Sequence, residues 1–258
     1  MRKINLLLVA AFITSSIFAQ DEVLTSKKGE RYLPETGEWA ISINASPFLS
    51  YFGNFIGGNG LNAAPNFNFL STNQFIIGKY FIDNQSAYRA GVRLGFSTES
   101  NPPLSPTSID DKVTVTSSNI GLSLGKEFRK GKTRLQGFYG AEAGLNLSST
   151  STTNKYGTAI SASNSPRVTE FKGGMGFEVG VRGFIGAEYF IIPKVAIGGE
   201  FGWSVGLSTT GQSETTKEVF SAAATTTKVA GSSSLCFDTD HQNSIFGPSG
   251  TIRLTLHF

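Results

Sequence analysis

Apolar and polar residues alternate with a period of two through much of the chain, most plainly at its end. Ile252, Leu254, Leu256 and Phe258 fall on one face of an extended strand, and Thr251, Arg253, Thr255 and His257 on the other. Upstream, Trp39, Ile41, Ile43 and Ala45 oppose Ser42, Asn44 and Ser46, with Pro47 marking an edge, a bulge or the point where pairing weakens. Phe75 to Ile82 reads as a second strand. Tyr88, Ala90, Val92, Leu94 and Phe96 then alternate with Arg89, Gly91, Arg93 and Gly95. Ile120, Leu122 and Leu124 oppose Asn119, Gly121, Ser123, Gly125 and Glu127; Tyr139, Ala141, Ala143 and Leu145 oppose Gly140, Glu142, Gly144 and Asn146. Two further strands carry Phe177, Val179, Val181, Ile185, Ala187 and Tyr189 against Glu178, Arg182 and Glu188, and Val195, Ile197, Phe201, Trp203, Val205 and Leu207 against Gly198, Glu200 and Gly202. The pattern predicts about eight strands.

The connectors alternate in length. Those near 53–72, 99–112, 148–167 and 208–243 read as long loops, the last being the longest; the turns near 83–85, 129–133 and 192–194 are short. With an even strand number and both ends on one side, the long connectors share one rim and the short ones the other. A soluble sandwich has no reason to sort its connectors this way, whereas an outer-membrane barrel has long extracellular loops and short periplasmic turns. The expected fold is all-β, an eight-stranded antiparallel up-and-down transmembrane β-barrel over 38–258.

Composition supports that choice. Charged residues make up 16%, against roughly 25% in soluble domains, so little polarity is left to clothe an outside. Arg2 and Lys3 followed by the apolar run Ile4 to Phe18 read as a signal peptide over 1–19, cut after Ala19 despite the bulk of Ile17. Its removal lowers the formal charge of +3 by two, which removes any electrostatic case for nucleic acid. Residues 20–37 read as a periplasmic N-terminal tail. A lone Cys236 excludes an intrachain disulfide.

The signal peptide, the alternating strands, the loop asymmetry and the terminal Phe258 together resemble a small Gram-negative outer-membrane barrel of the OmpA/OmpX-like or porin-like superfamily. The stretches YLPETGEWAISINASPFLSYFGNF and GAEYFIIPKVAIGGEFGW carry the likeness. It implies assembly through recognition of the last strand by the barrel-assembly machinery, and specifies hardly any chemistry. No peptidoglycan-binding domain of the OmpA type is expected beyond Phe258.

Parity assigns the two faces. A strand tilted by about 40° rises roughly 2.5 Å per residue along the axis, which lifts Trp203 ~22 Å above the short-turn rim, with Phe96 at a similar height. These two are expected in an outer aromatic girdle, and Trp39, Tyr88, Tyr139, Tyr189 and Phe258 in an inner one, against outer-membrane lipid and lipopolysaccharide. The lumen is expected to receive Lys79, Arg89, Arg93, Arg182 and Arg253 opposite Glu127, Glu142, Glu178, Glu188 and Glu200. Buried unpaired, these charges would be costly, so they should interlock. Inward glycines such as Gly125, Gly198 and Gly202 leave room for arginine and glutamate. Eight strands enclose an interior that side chains can fill, so a plugged lumen is expected.

Candidate chemistry is sparse. Gly131-Lys132-Thr133 resembles the end of a phosphate-binding loop, but Lys126 stands where that motif requires glycine. Asp238, Asp240 and His241, with Asp110 and Asp111 on the same rim, are similar to the Asp/His and Asp/Asp pairs of omptin-type proteases, which have ten strands. No Ser partner is evident for His257, and no acidic cluster has the ligand spacing of a metal site. Phe52, Phe55, Phe67 and Phe69 either expose an adhesive surface or pack over the barrel mouth. The expectation is a non-enzymatic barrel without cofactor or metal. Its role is structural or interaction-based, with an extracellular or envelope protein as possible partner. The alternatives are a porin-like channel for small solutes and a barrel enzyme.

Overall fold

The computed structural model describes residues 24–56, 75–101, 111–238, 246 and 249–258. Within them the strands are β1 (Trp39–Asn44), β2 (Ile76–Asp83), β3 (Ser86–Asn101), β4 (Lys112–Lys130), β5 (Leu135–Lys155), β6 (Arg167–Lys172), β7 (Gly176–Ile192), β8 (Val195–Thr210), β9 (Ser213–Val219), β10 (Ala222–Val229), β11 (Ser232–Asp238) and β12 (Gly250–His257), with one helix, α1 (Ser46–Ile56). Eight of these strands close a ring: β1, β2, β3, β4, β5, β7, β8 and β12, each antiparallel to its neighbours. Closure joins the first and last strands of the ring. Ala40 faces His257 and Asn44 faces Arg253, while Trp39 and Phe258 exchange backbone hydrogen bonds of 2.9 Å. The fold is therefore an eight-stranded antiparallel up-and-down barrel.

The stretch read as a long loop at 208–243 is largely strand, and so is the first part of the one at 148–167. β5 continues to Lys155 against β4, and β6 pairs with its upper end. Lys172 faces Glu214 and Gly176 faces Thr210, so β6–β7 and β8–β9 are each one wall strand with a short break. β10 and β11 likewise return in one register, Val229 opposite Ser213 and Ser232 opposite Thr210. At roughly 2.5 Å per residue the 21 residues of β5 reach ~50 Å, about twice the height of a membrane's apolar band. These upper strands are rich in Thr and Ser and wet on both sides. They keep β-propensity from branched side chains without showing any apolar alternation.

Pro47 does not lie in a pairing strand. β1 ends at Asn44, whose Oδ1 accepts from the N–H of Ser46 at 2.8 Å, and α1 follows with Pro47 in its first turn, where the missing N–H costs nothing. Residues 1–23, including the expected signal peptide, lie outside the described residues, as do Phe67 and Phe69. From Leu24 onward the N-terminal tail folds over the short-turn rim. Thr25 bridges Arg31, Tyr32 lies under the Arg134 guanidinium at 4.5 Å, Gly37 donates to Phe81 O at 2.8 Å, and Glu38 pairs with Lys194.

Two faces follow from the pleat. Outward, Tyr88, Val92, Leu94 and Phe96 on β3, Leu122 and Leu124 on β4, and Val179, Val181 and Ile185 on β7 are all exposed. Inward, the same strands bury Arg89, Arg93, Glu127 and Arg182. A soluble protein is arranged the other way round.

Candidate functional site

The lumen is filled by side chains from every strand of the ring, and its middle is one ion network. Lys79 on β2 lies 3.0 Å from Glu127 on β4 and 3.0 Å from Glu188 on β7. Arg89 on β3 reaches Glu200 at 2.8 Å, Glu127 at 3.3 Å and Glu142 at 3.6 Å. Arg182 on β7 bridges Glu200 at 2.7 Å and Glu142 at 3.0 Å. Arg253 on β12 approaches Glu200 at 3.8 Å. Arg93 donates to Asn146 Oδ1 at 2.8 Å, and Glu178 is the acid acting on it electrostatically. Thr255 donates to Glu188 at 2.9 Å and lies 3.1 Å from Ser42 on β1. All ten charged side chains named from the sequence are buried inside the barrel.

Two polar members escaped the sequence reading. Arg129, which the sequence pattern puts in the 129–133 turn, is fully enclosed and bridges Glu127 at 2.7 Å and Glu188 at 2.5 Å. Its Nε donates to Gln136 at 2.9 Å, which in turn donates to Gly131 O at 3.2 Å. The signal was parity: Arg129 is two residues from Glu127, and Gln136 six from Glu142. Among the described residues the lumen thus holds six buried Lys and Arg side chains against five Glu.

Aromatic rings are the second missed component. Phe81, Phe138, Phe184 and Phe190 are buried. Arg89 lies 3.9 Å above the Phe184 ring, Lys79 5.0 Å from Phe138, and Arg129 5.5 Å from Phe81. A desolvated cation gains from a ring face, so these rings insulate and hold the cations while the carboxylates neutralise them. Glycines make room for both kinds of neighbour. A Cβ on Gly202 would sit 2.1 Å from Arg182 Nε, and one on Gly140 2.6 Å from Phe184 Cζ.

The outward candidates point away from this interior. Trp39, Tyr88, Phe96, Tyr139, Tyr189, Trp203 and Phe258 are exposed by 45–69%. Tyr80 and Phe128 join them, Trp39 against Tyr80 at 4.8 Å and Phe128 stacked on Tyr139 at 5.6 Å.

The remaining candidates do not assemble into a reactive centre among the described residues. Asp110, Asp240 and His241 lie outside them, as does the side chain of Asp238. Asp111 accepts from the Gly157 N–H at 2.7 Å. His257 is buried between Phe81 and Phe190, ring centroids 5.5 and 5.1 Å away. No group of three or more His, Cys, Asp or Glu is placed to hold a metal ion among the described residues. Gly131, with φ of 118°, turns β4 into β5.

No family model matches the chain, and no curated protein matches it. Among solved structures, the crystal structure of Acinetobacter baumannii CarO is similar over 86% of this chain and 95% of its own, at 12% identity and a TM-score of 0.28. An overlap that loose bears on neither fold nor role. The barrel rests on the strand pairing itself.

Proposed function

We propose that the chain is an integral protein of the bacterial outer membrane, exported by the segment 1–19, with a structural or interaction role. One observation carries the reading: the ring is inverted, apolar outside and charged inside, between aromatic rows. Such an outside is stable against hydrocarbon and costly against water. The short turns then lie in the periplasm, and the polar wall built by the upper parts of β3–β5 and by β6 and β9–β11 stands outside the cell. Outer-membrane lipid and lipopolysaccharide cover the apolar band, and the barrel-assembly machinery reads the closing strand β12. An extracellular or envelope protein meets the upper wall. The ion network closes the lumen. A narrow porin-like path is the second reading, favoured by the cationic excess of six against five, which would select anions. Membrane fractionation tests the location: the protein should stay with outer membranes through alkaline carbonate and migrate differently before and after boiling. Recovery in the soluble periplasm would contradict it.

A further inference from the structure

Below the polar upper wall, the apolar outside of the ring is interrupted among the described residues by two exposed charged side chains, both on β4: Lys126 and Lys130. Each sits by aromatic rings. Lys126 Nζ is 5.1 Å from the Phe128 centroid and 6.0 Å from that of Tyr88, and Lys130 Nζ is 5.9 Å from that of Tyr139. With the Asp83–Ser86 turn they line a groove of about 580 Å³ at the short-turn rim.

Neither lysine has a carboxylate within ion-pair distance among the described residues. The acid of the groove is otherwise engaged: Asp83 accepts from the Gln85 N–H and the Ser86 hydroxyl, both at 2.7 Å. Arg134 shows the contrast. It lies 5.2 Å from the Tyr189 ring, but its Nε donates to Phe190 O at 2.8 Å and its Nη2 to Ile191 O. Asp83 also faces Lys126 electrostatically across the groove, but beyond ion-pair distance, so Lys126 and Lys130 keep ammonium donors open to a ligand, four residues apart on one face. Flexible lysine stems over aromatic rings at a membrane boundary carry the charge to headgroup level.

We propose that this groove binds the phosphodiester headgroup of an anionic phospholipid in the leaflet on the short-turn side, its acyl chains lying along Leu122 and Leu124. The inference rests on the membrane reading above. Both lysines donate to the phosphate, and the rings fix its depth.

The full chain, refolded in detergent and titrated with dioleoyl phosphatidylglycerol, tests this by native mass spectrometry. One phosphatidylglycerol should be retained that phosphatidylcholine does not replace and inorganic phosphate does not displace. The pair Lys126→Gln and Lys130→Gln should weaken retention roughly 25-fold, about fivefold for each lysine. Lys126→Arg with Lys130→Arg should preserve it, and Lys112→Gln, on the upper wall, should leave it unchanged. Equal retention by the double glutamine variant overturns the proposal, and so does displacement by inorganic phosphate, which would mark a site for the free ion. Flotation with phosphatidylglycerol vesicles reads the membrane assignment separately. A folded chain that fails to float contradicts that assignment, whereas one that floats but shows no lysine-dependent lipid contradicts the groove alone.

Discussion

Glu127 and Glu188 stand on strands separated by β5, yet they share the same two cations: Lys79 at 3.0 Å from each, and Arg129 at 2.7 and 2.5 Å. The four side chains tie β2, β4 and β7 together across the lumen. Breaking a buried pair from one side leaves an uncompensated charge and costs about 3–5 kcal/mol. Glu188→Ala should lower unfolding stability in urea and detergent by that amount. Adding Lys79→Met should recover part of it, and the coupling in a double-mutant cycle measures how far the cluster acts as a unit.

If the outer face meets lipid as proposed, it responds to substitution differently. Leu122, 44% exposed, lies midway between the levels of Tyr88 and Phe96 on the paired strand, and Leu122→Arg should cost about 2–4 kcal/mol in a bilayer. Thr116→Arg, outward on the same strand but above the apolar rows, should fall within roughly 0.5 kcal/mol of wild type. Vesicle refolding titrations separate the two; equal costs would mean that no lipid band exists between them.

The upper hairpin should be separable from the barrel. Thr210 faces Ser232, so deleting residues 212–230 joins those strands through Gly211 and Gly231, a two-residue turn of the favoured composition. The shortened chain should still refold and shift on boiling, while losing any partner that grips the upper wall. Failure to refold would make β9–β10 part of the folding core.

Glycine positions inside and outside should respond oppositely. Gly202→Ala drives its Cβ into the Arg182 guanidinium and should cost about 1–3 kcal/mol. Gly183 faces outward with nothing within 4 Å, and Gly183→Ala should be neutral or mildly stabilising. Urea midpoints at matched slope decide.

The ring was legible because each of its strands has an apolar side and a charged side, and a period of two is the trace of that border. Lys79, Arg89, Glu142 and Glu200 followed from parity alone. Where one solvent wets both faces, as along Ser213–Val229, the trace vanishes and strand was mistaken for loop. Arg129 was lost because a basic run beside a glycine looks like a turn, although its parity matches Glu127. Phe138 and Phe184 were missed for another reason. An apolar ring on the polar face contradicts simple alternation and makes sense only beside Lys79 and Arg89 as a cation's second neighbour. The seating of Tyr32 under Arg134 depends on contacts between distant segments that carry no local pattern.

In a bilayer the ion network should hold the lumen of the barrel closed. Planar-bilayer recording of the purified chain tests it most directly. A closed lumen predicts no stable current steps from the wild type and unsteady openings once Glu188→Ala loosens the cluster. Steady ohmic steps on the nanosiemens scale from the wild type would contradict it.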